Sequence, residues 1–203
     1  MQTTGGGRTR ATTRALEVAL LGTLVSLALV FGYIEALFPL PVAVPGIKLG
    51  LGNVVVLFAL VSLGPAPACA VMLVKVTVSS LLFGGPAVLA YSMAGGIASF
   101  LGMAAAVRLR PFGIEGVSCV GGVLHMAGQA AVVCLVLSPQ AVAGYLPVLL
   151  LAGLATGALT GCLCRAVLRA VGRSGPLAQM RRARARDARR KGGEGAQGAS
   201  GDL

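Results

Sequence analysis

Between Glu17 and Arg165 the side chains Asp, Glu, Lys, Arg and His are reduced to Glu17, Glu35, Lys48, Lys75, Arg108, Arg110, Glu115, His125 and Arg165. So few charges cannot coat a fold in water, and lipid must cover it instead. The composition agrees, with 56% hydrophobic and only 11% charged residues. A helix needs about 20 apolar residues to cross the hydrocarbon core. Runs near that length recur along the chain, separated by Pro, Gly or paired Arg. The sequence predicts an all-α polytopic membrane protein with about six transmembrane helices, at Ala15–Phe38, Ile47–Leu63, Ala66–Phe83, Pro86–Val107, Ile114–Leu137 and Gly144–Val171. The second is short, and its start reads as irregular backbone inside the membrane, which is tolerable where protein or a water-filled cavity shields it.

Lys and Arg collect in three places: Arg8, Arg10 and Arg14 before the first run, Arg108 and Arg110 between the fourth and fifth, and Arg165, Arg169, Arg173 and the tail after the sixth. An even number of spans puts all three groups on one side, and the positive-inside rule makes that side the cytoplasm. The expected location is the cell membrane with both termini cytoplasmic. The first run exceeds the usual apolar stretch of a secretory signal and ends without a small-residue cleavage site, so it is read as retained. Residues 1–13 read as a disordered N-terminus, residues 14–171 as the membrane domain, and residues 172–203 as a disordered basic tail carrying most of the net charge of +11. That tail is drawn to anionic headgroups at about 1 kcal/mol per Lys or Arg. Without aromatics or a recognisable fold it is read as a topology determinant and not as a specific nucleic-acid binder. Cys69, Cys119, Cys134, Cys162 and Cys164 all lie in apolar runs. Cys162 and Cys164, two apart on a helix, point to different faces, and all five are expected to be buried small hydrophobes.

Polar groups inside a bilayer are expensive and are therefore functional candidates. The stretch PLPVAVPGIKLGLGN, Pro39 to Asn53, interrupts the apolar chain with prolines and glycines and places Lys48 among them. Pro45 breaks a helix, the glycines allow close approach to a ligand, and the next helix start adds partial positive charge. Glu35 precedes this loop. A Glu35–Lys48 ion pair closing the loop is one reading; a rim on which Lys48 and backbone N–H groups hold an anionic or polar ligand group is the other. Lys75 stands mid-run in VMLVKVTVSSLLF with Ser79 one turn further, too deep to snorkel easily, and calls for an internal partner or a wet cavity. Ser118, Gly122, His125 and Gln129 advance by four, three and four and form one polar stripe, either helix-to-helix glue or a cavity wall. Gly153, Gly157 and Gly161 make a smooth face for close helix packing. Ala15 and Ala19 begin a comparable stripe on the first helix, for internal packing or for a partner protein. The expected cavity lining is Glu35, Lys48, Asn53, Lys75, Ser118, His125 and Gln129.

Enzymatic signatures are absent from the sequence. No DDxxD pair exists to hold Mg²⁺ and a diphosphate, the only aspartates being Asp187 and Asp202 in the tail, and no P-loop is present. With one histidine and no paired carboxylates, no catalytic residue, metal site or cofactor is expected.

The segments PGIKLGLGN, SSLLFGG, YSMAGGIAS, GVSCVGGVLHMAGQ and YLPVLLLAGLATG, in this order over Ala15 to Val171, resemble the membrane family labelled Gx transporter or heptaprenyl diphosphate synthase component I. That family is similar to the six-helix S components of energy-coupling factor (ECF) vitamin transporters. The resemblance implies a subunit that binds a small solute, such as a vitamin or cofactor precursor, from outside and docks on cytoplasmic ATPases through a coupling subunit. Small residues on the first helix serve that docking, and Ala15 and Ala19 match such an AxxxA pattern. The synthase label implies something else, an accessory membrane subunit of a prenyl diphosphate synthase, since the diphosphate-binding carboxylates are missing here. This chain departs from the family's pattern at Met126, where Asn often follows the histidine, and at Gly52, where Ala is frequent.

Overall fold

The structure is a computed structural model and describes residues 5–37, 50–109, 112–136 and 144–171. Among these residues the chain is all-helical: α1 (Gly5–Leu37), α2 (Leu51–Ser62), α3 (Pro65–Phe83), α4 (Gly85–Leu109), α5 (Ile114–Val136) and α6 (Leu146–Val171). Five of the six, all but α2, are long and apolar enough to cross a membrane. The chain divides into two compact units, one spanning Leu20–Val167 and the other comprising Met1–Ala19 and Leu168–Leu203.

In the Leu20–Val167 unit, α2 is the most enclosed element. Val55, Val56, Leu57 and Ala59 are almost fully buried, and burial reaches all round the helix, as a helix apolar on every face requires. Its shortness corrects the expected span Ile47–Leu63. Twelve residues rise about 18 Å at 1.5 Å each, well short of a hydrocarbon core. The helix ends where the Leu63 and Gly64 amides both donate to the Ala59 carbonyl, and Pro65, whose missing N–H costs nothing in a first turn, starts α3. A single residue, Gly84, separates α3 from α4, and Gly85 makes that sharp reversal at a φ of 76°, a backbone angle that a side chain would strain.

Glycine governs how closely the later helices approach. On α4 and α5, Gly95 faces His125 and Gln129, Gly128 faces the Ala94 carbonyl, and Gly121 faces Met103 and Ser99, an antiparallel register. The Gly153, Gly157 and Gly161 stripe of α6 lies against Gly122, Ser118 and Glu115 of α5, again antiparallel. A Cβ at Gly157 would stand 2.7 Å from the Ser118 carbonyl oxygen, and one at Gly161 2.7 Å from the Glu115 Cα. With the backbones this close, van der Waals contact replaces the hydrophobic drive that lipid cannot supply. Away from these seams Val30, Leu82, Leu101 and Leu151 are exposed, an apolar exterior that suits a lipid solvent.

Two further differences from expectation appear. The helix begins at Gly5, so most of the stretch expected as a disordered terminus continues α1; extending a formed helix costs little because each added residue brings a hydrogen bond. Cys164 is buried, but Cys162, two residues earlier, is exposed and Cys69, Cys119 and Cys134 are half-buried, so an apolar run guarantees contact with lipid or protein without saying which. In the other unit the described residues 5–19 and 168–171 are helical, and Ala15 and Ala19 are exposed there. The tail, residues 172–203, lies outside the described residues.

The seams give a prediction of sign. Gly122→Val drives a side chain into the Gly153 backbone and should lower stability by about 1–3 kcal/mol. Gly22→Ala, where nothing lies within 4 Å, should leave it unchanged or raise it by up to about 1 kcal/mol. Thermal unfolding of both variants in one detergent checks this, and equal melting of the two would refute the packing account.

Candidate ligand cavity

A helix start inside lipid must find partners for its first amide groups, because no water is there to serve them. Gly50, in the left-handed region at φ 76°, turns the chain into α2 and has no side chain to cap it. The Asn53 amide donates back to the Gly50 carbonyl at 2.8 Å. The Leu51 amide donates to Oε1 of Glu35, from the end of α1, at 2.6 Å. A carboxylate at a helix N-terminus is favoured both as an acceptor and by the helix dipole. Glu35 thus caps α2 from a neighbouring helix. Lys48 and the expected Glu35–Lys48 pair lie outside the described residues.

From α3, Lys75 reaches the same turn. Its Nζ donates to Asn53 Oδ1 at 2.7 Å, and its stem passes Gly52, where a Cβ would stand 2.6 Å from Cε and 2.8 Å from Nζ. The glycine at position 52 makes room for the lysine. One turn beyond Lys75, the Ser79 hydroxyl stands close to Gly32 of α1; it is buried and has no hydrogen-bond partner among the described residues. Tyr33 and Phe83, with ring centroids 5.7 Å apart, hold α1 to α3 beside it.

On α5, His125 and Gln129 are one turn apart and bonded through Nε2 of each at 3.1 Å. Gly95 of α4 leaves space for both side chains. Thr156 of α6 bonds its hydroxyl back to the Ala152 carbonyl at 2.9 Å.

These groups enclose a cavity of about 110 Å³, several times what a single water needs. Glu35, Asn53, Lys75, Ser79, Ser80, Ser92, His125, Gln129 and Thr156 give it polar groups, and Val76, Phe83, Val88 and Met126 give it apolar wall. Every lining residue belongs to the Leu20–Val167 unit. They come from the C-terminal parts of α1 and α3, the middle of α5 and the N-terminal ends or halves of α2, α4 and α6. The opposite end of the helices carries Arg108 and an Arg165–Glu115 ion pair joining α6 to α5. That pair is partly exposed.

Of the residues singled out from sequence, Glu35, Asn53, Lys75, His125 and Gln129 come together on this cavity. Ser118 does not: it is buried and packs against Gly161 in the seam between α5 and α6, nearer the Glu115 end. Gly122, from the same polar stripe, does line the cavity. Sequence reasoning left out Gly32, Ser80, Ser92 and Thr156. Ser and Thr are common in membrane helices and often bond their own backbone, as Thr156 does, so their spacing alone carried no signal. Ser79, noted from sequence one turn beyond Lys75 on the same face, also lines the cavity.

The cap on α2 can be tested directly. Glu35→Ala should destabilise the protein by about 1.5–3 kcal/mol, the range for a hydrogen bond to a charged group. Glu35→Gln, which keeps an acceptor, should cost about 1 kcal/mol. Hydrogen exchange at the Leu51 amide should speed up in the first variant more than in the second. Unchanged exchange in both would show that Glu35 does not hold this turn.

Comparison with known proteins found no similar curated protein and no similar solved structure. A family model described as heptaprenyl diphosphate synthase component I matches residues 24–167. The match begins after Ala15 and Ala19, covers most of the chain and takes in every described residue that lines the cavity. On that match, the chain belongs to the heptaprenyl diphosphate synthase component I family.

Proposed function

We propose that the chain is a non-catalytic membrane subunit that holds a small polar solute in this cavity, with uptake energised by partner subunits in the manner of an ECF S component. One observation carries the reading: a cavity among lipid-facing helices gathers Lys75, Asn53, His125 and Gln129 together with a buried Ser79 hydroxyl that has no partner among the described residues. A buried polar group without a partner costs about 1–3 kcal/mol, and a bound polar solute removes that cost. The apolar walls and the few convergent polar groups are the usual make-up of a small-molecule site. Since Arg108 and the Arg165–Glu115 pair mark the other end of the helices, the positive-inside rule turns the cavity outward. Lys48, Ala15 and Ala19 enter this reading as a rim charge and a docking stripe for a coupling subunit.

The family's name supports a second reading, an accessory membrane subunit of a heptaprenyl diphosphate synthase. Magnitudes limit its form. A cavity of about 150 Å³ holds a benzene ring, so 110 Å³ cannot enclose a chain of seven isoprene units. The sequence also has no aspartate outside its tail to bind Mg²⁺ and a diphosphate. A subunit of this kind would act on its partner synthase and not on the isoprenoid.

Native mass spectrometry of the full chain, gently extracted from its own membranes, separates the two. The first reading expects a bound polar metabolite that is lost from Lys75→Ala and His125→Ala while melting stays unchanged, together with co-purifying ATPase subunits. A retained synthase subunit with no metabolite would replace it with the second reading. Variants that alter only melting would leave a purely structural role.

A further inference from the structure

The walls of the cavity are not held alike. α5 and α6 meet backbone to backbone, where a Cβ at Gly122 would overlap the Gly153 carbonyl, and α4 comes as close to α5 where Gly128 faces the Ala94 carbonyl. α1 is fixed more thinly. Of its side chains described from Leu20 to Leu37, only Leu24 and Ala28 are buried. Its contacts with α2 and α3 gather toward its C-terminal end: the Ala28 carbonyl beside Gly52, Gly32 against Ser79, the Tyr33 ring on Phe83 and the Glu35 carboxylate on the Leu51 amide. Gly32, Glu35, Ser79 and Phe83 all line the cavity, so this stretch of α1 is cavity wall. Tyr33 and Phe83 are each about half exposed. Parting such apolar surfaces in a bilayer meets no hydrophobic resistance, because lipid tails cover each as the other did. Before these contacts α1 carries the makings of a hinge. The Ser26 hydroxyl bonds back to the Gly22 carbonyl at 2.9 Å, a bond that often bends a helix, and nothing lies within 4 Å of a Cβ at Gly22. Glycine and serine pairs are among the few sites where helices kink sharply.

We propose that the part of α1 beyond this hinge is a movable wall: it swings off α3 about Gly22 and Ser26, with the Tyr33–Phe83 contact as its latch, and so opens the cavity between α1 and α3. This rests on the solute-binding reading above and supplies the step by which a solute enters and leaves. The closed position is the favoured one, since α1 in leaving takes with it the acceptor of the Leu51 amide. The open form is therefore a minor state that the protein visits and returns from. The glycine seams of α4, α5 and α6 stay shut throughout.

The wall can be locked. A Cβ at Gly32 would stand 3.9 Å from the Ser79 Cβ, a separation that a disulfide spans. The test uses the full chain in lipid nanodiscs with Gly32→Cys and Ser79→Cys, Thr156→Cys as a reporter on the α6 wall, and the exposed Cys162 changed to serine. Diamide oxidises the α1 and α3 thiols to a disulfide, and N-ethylmaleimide then modifies the reporter, both read by peptide mass spectrometry. The expected result is reporter modification at least tenfold slower in the locked protein than after reduction. In a chain carrying the reporter without the lock, Gly22→Ala with Ser26→Ala stiffens the hinge without touching the cavity and should slow modification at least threefold, with melting unchanged or raised. Tyr33→Leu, which removes the ring contact, should speed it. A merely structural role for the hinge would not tie reporter access to it. Equal rates in locked and reduced protein would overturn the proposal. So would a failure of the disulfide to form, because the contact between α1 and α3 would then be absent. No solute is used, so the two readings fail separately: equal rates leave the native mass spectrometry of bound metabolites to decide solute binding, and slow locked labelling with no bound metabolite would leave a moving wall without a cargo.

Discussion

Water is missing from the hydrocarbon core, and every amide and side-chain donor placed there must be answered by protein. The start of α2 is where this chain meets that constraint most sharply. The left-handed turn at Gly50 starts α2 with its first amides exposed, and the Leu51 amide is answered from another helix, by the Glu35 carboxylate of α1, while Lys75 of α3 donates to the Asn53 side chain in the same turn. The cavity exists because those answers come from a distance. A local N-cap side chain would have satisfied the turn without drawing two charged residues of other helices to one place. Asn53, one turn into α2, then serves the lysine and not the backbone.

Around that turn the glycines do the complementary work of making room. Gly52 admits the lysine stem, Gly32 lies against Ser79, and Gly95 admits His125 and Gln129, while Gly122, Gly153 and Gly157 bring α5 and α6 into backbone contact. Small residues therefore have two roles in one bundle. At the seams they close space, and at the cavity they leave space that longer polar side chains then partly fill. Glycine at position 52 has a physical meaning, since a methyl group at that site would press on the Lys75 side chain.

How much of this was legible in the sequence differs by feature. Five membrane-length helices could be read from apolar runs between charges, because a bilayer imposes one length on all of them. The true extent of α2 could not, because nothing in Ile47–Leu63 marks where its helix begins, and the left-handed turn at Gly50 and its distant cap fix the start. Lys75, His125 and Gln129 were visible because an ionisable or amide side chain in an apolar run has few reasons to be there. Ser118 shows the limit of that argument: it shares a helical stripe with Gly122, His125 and Gln129, but one more turn along α5 carries it past the cavity into the α6 seam. The hydroxyls of Ser80, Ser92 and Thr156 were invisible for the opposite reason, since such groups sit in membrane helices at little cost by bonding their own backbone. The cap that Glu35 places on the Leu51 amide was not legible either, because no sequence displays which backbone amide will lack a partner.

The central claim is that the space between Lys75, Ser79, His125 and Gln129 is a polar site occupied by solute or ordered water, held open by the capped start of α2. An experimental density map of the full chain in a lipid nanodisc, at a resolution that shows ordered solvent, tests this most directly. The account predicts discrete density within hydrogen-bond distance of the Ser79 hydroxyl and the Lys75 ammonium, with Glu35 on the Leu51 amide. A cavity closed by side-chain collapse, or filled by a lipid acyl chain with Lys75 turned out to the membrane surface, would contradict it.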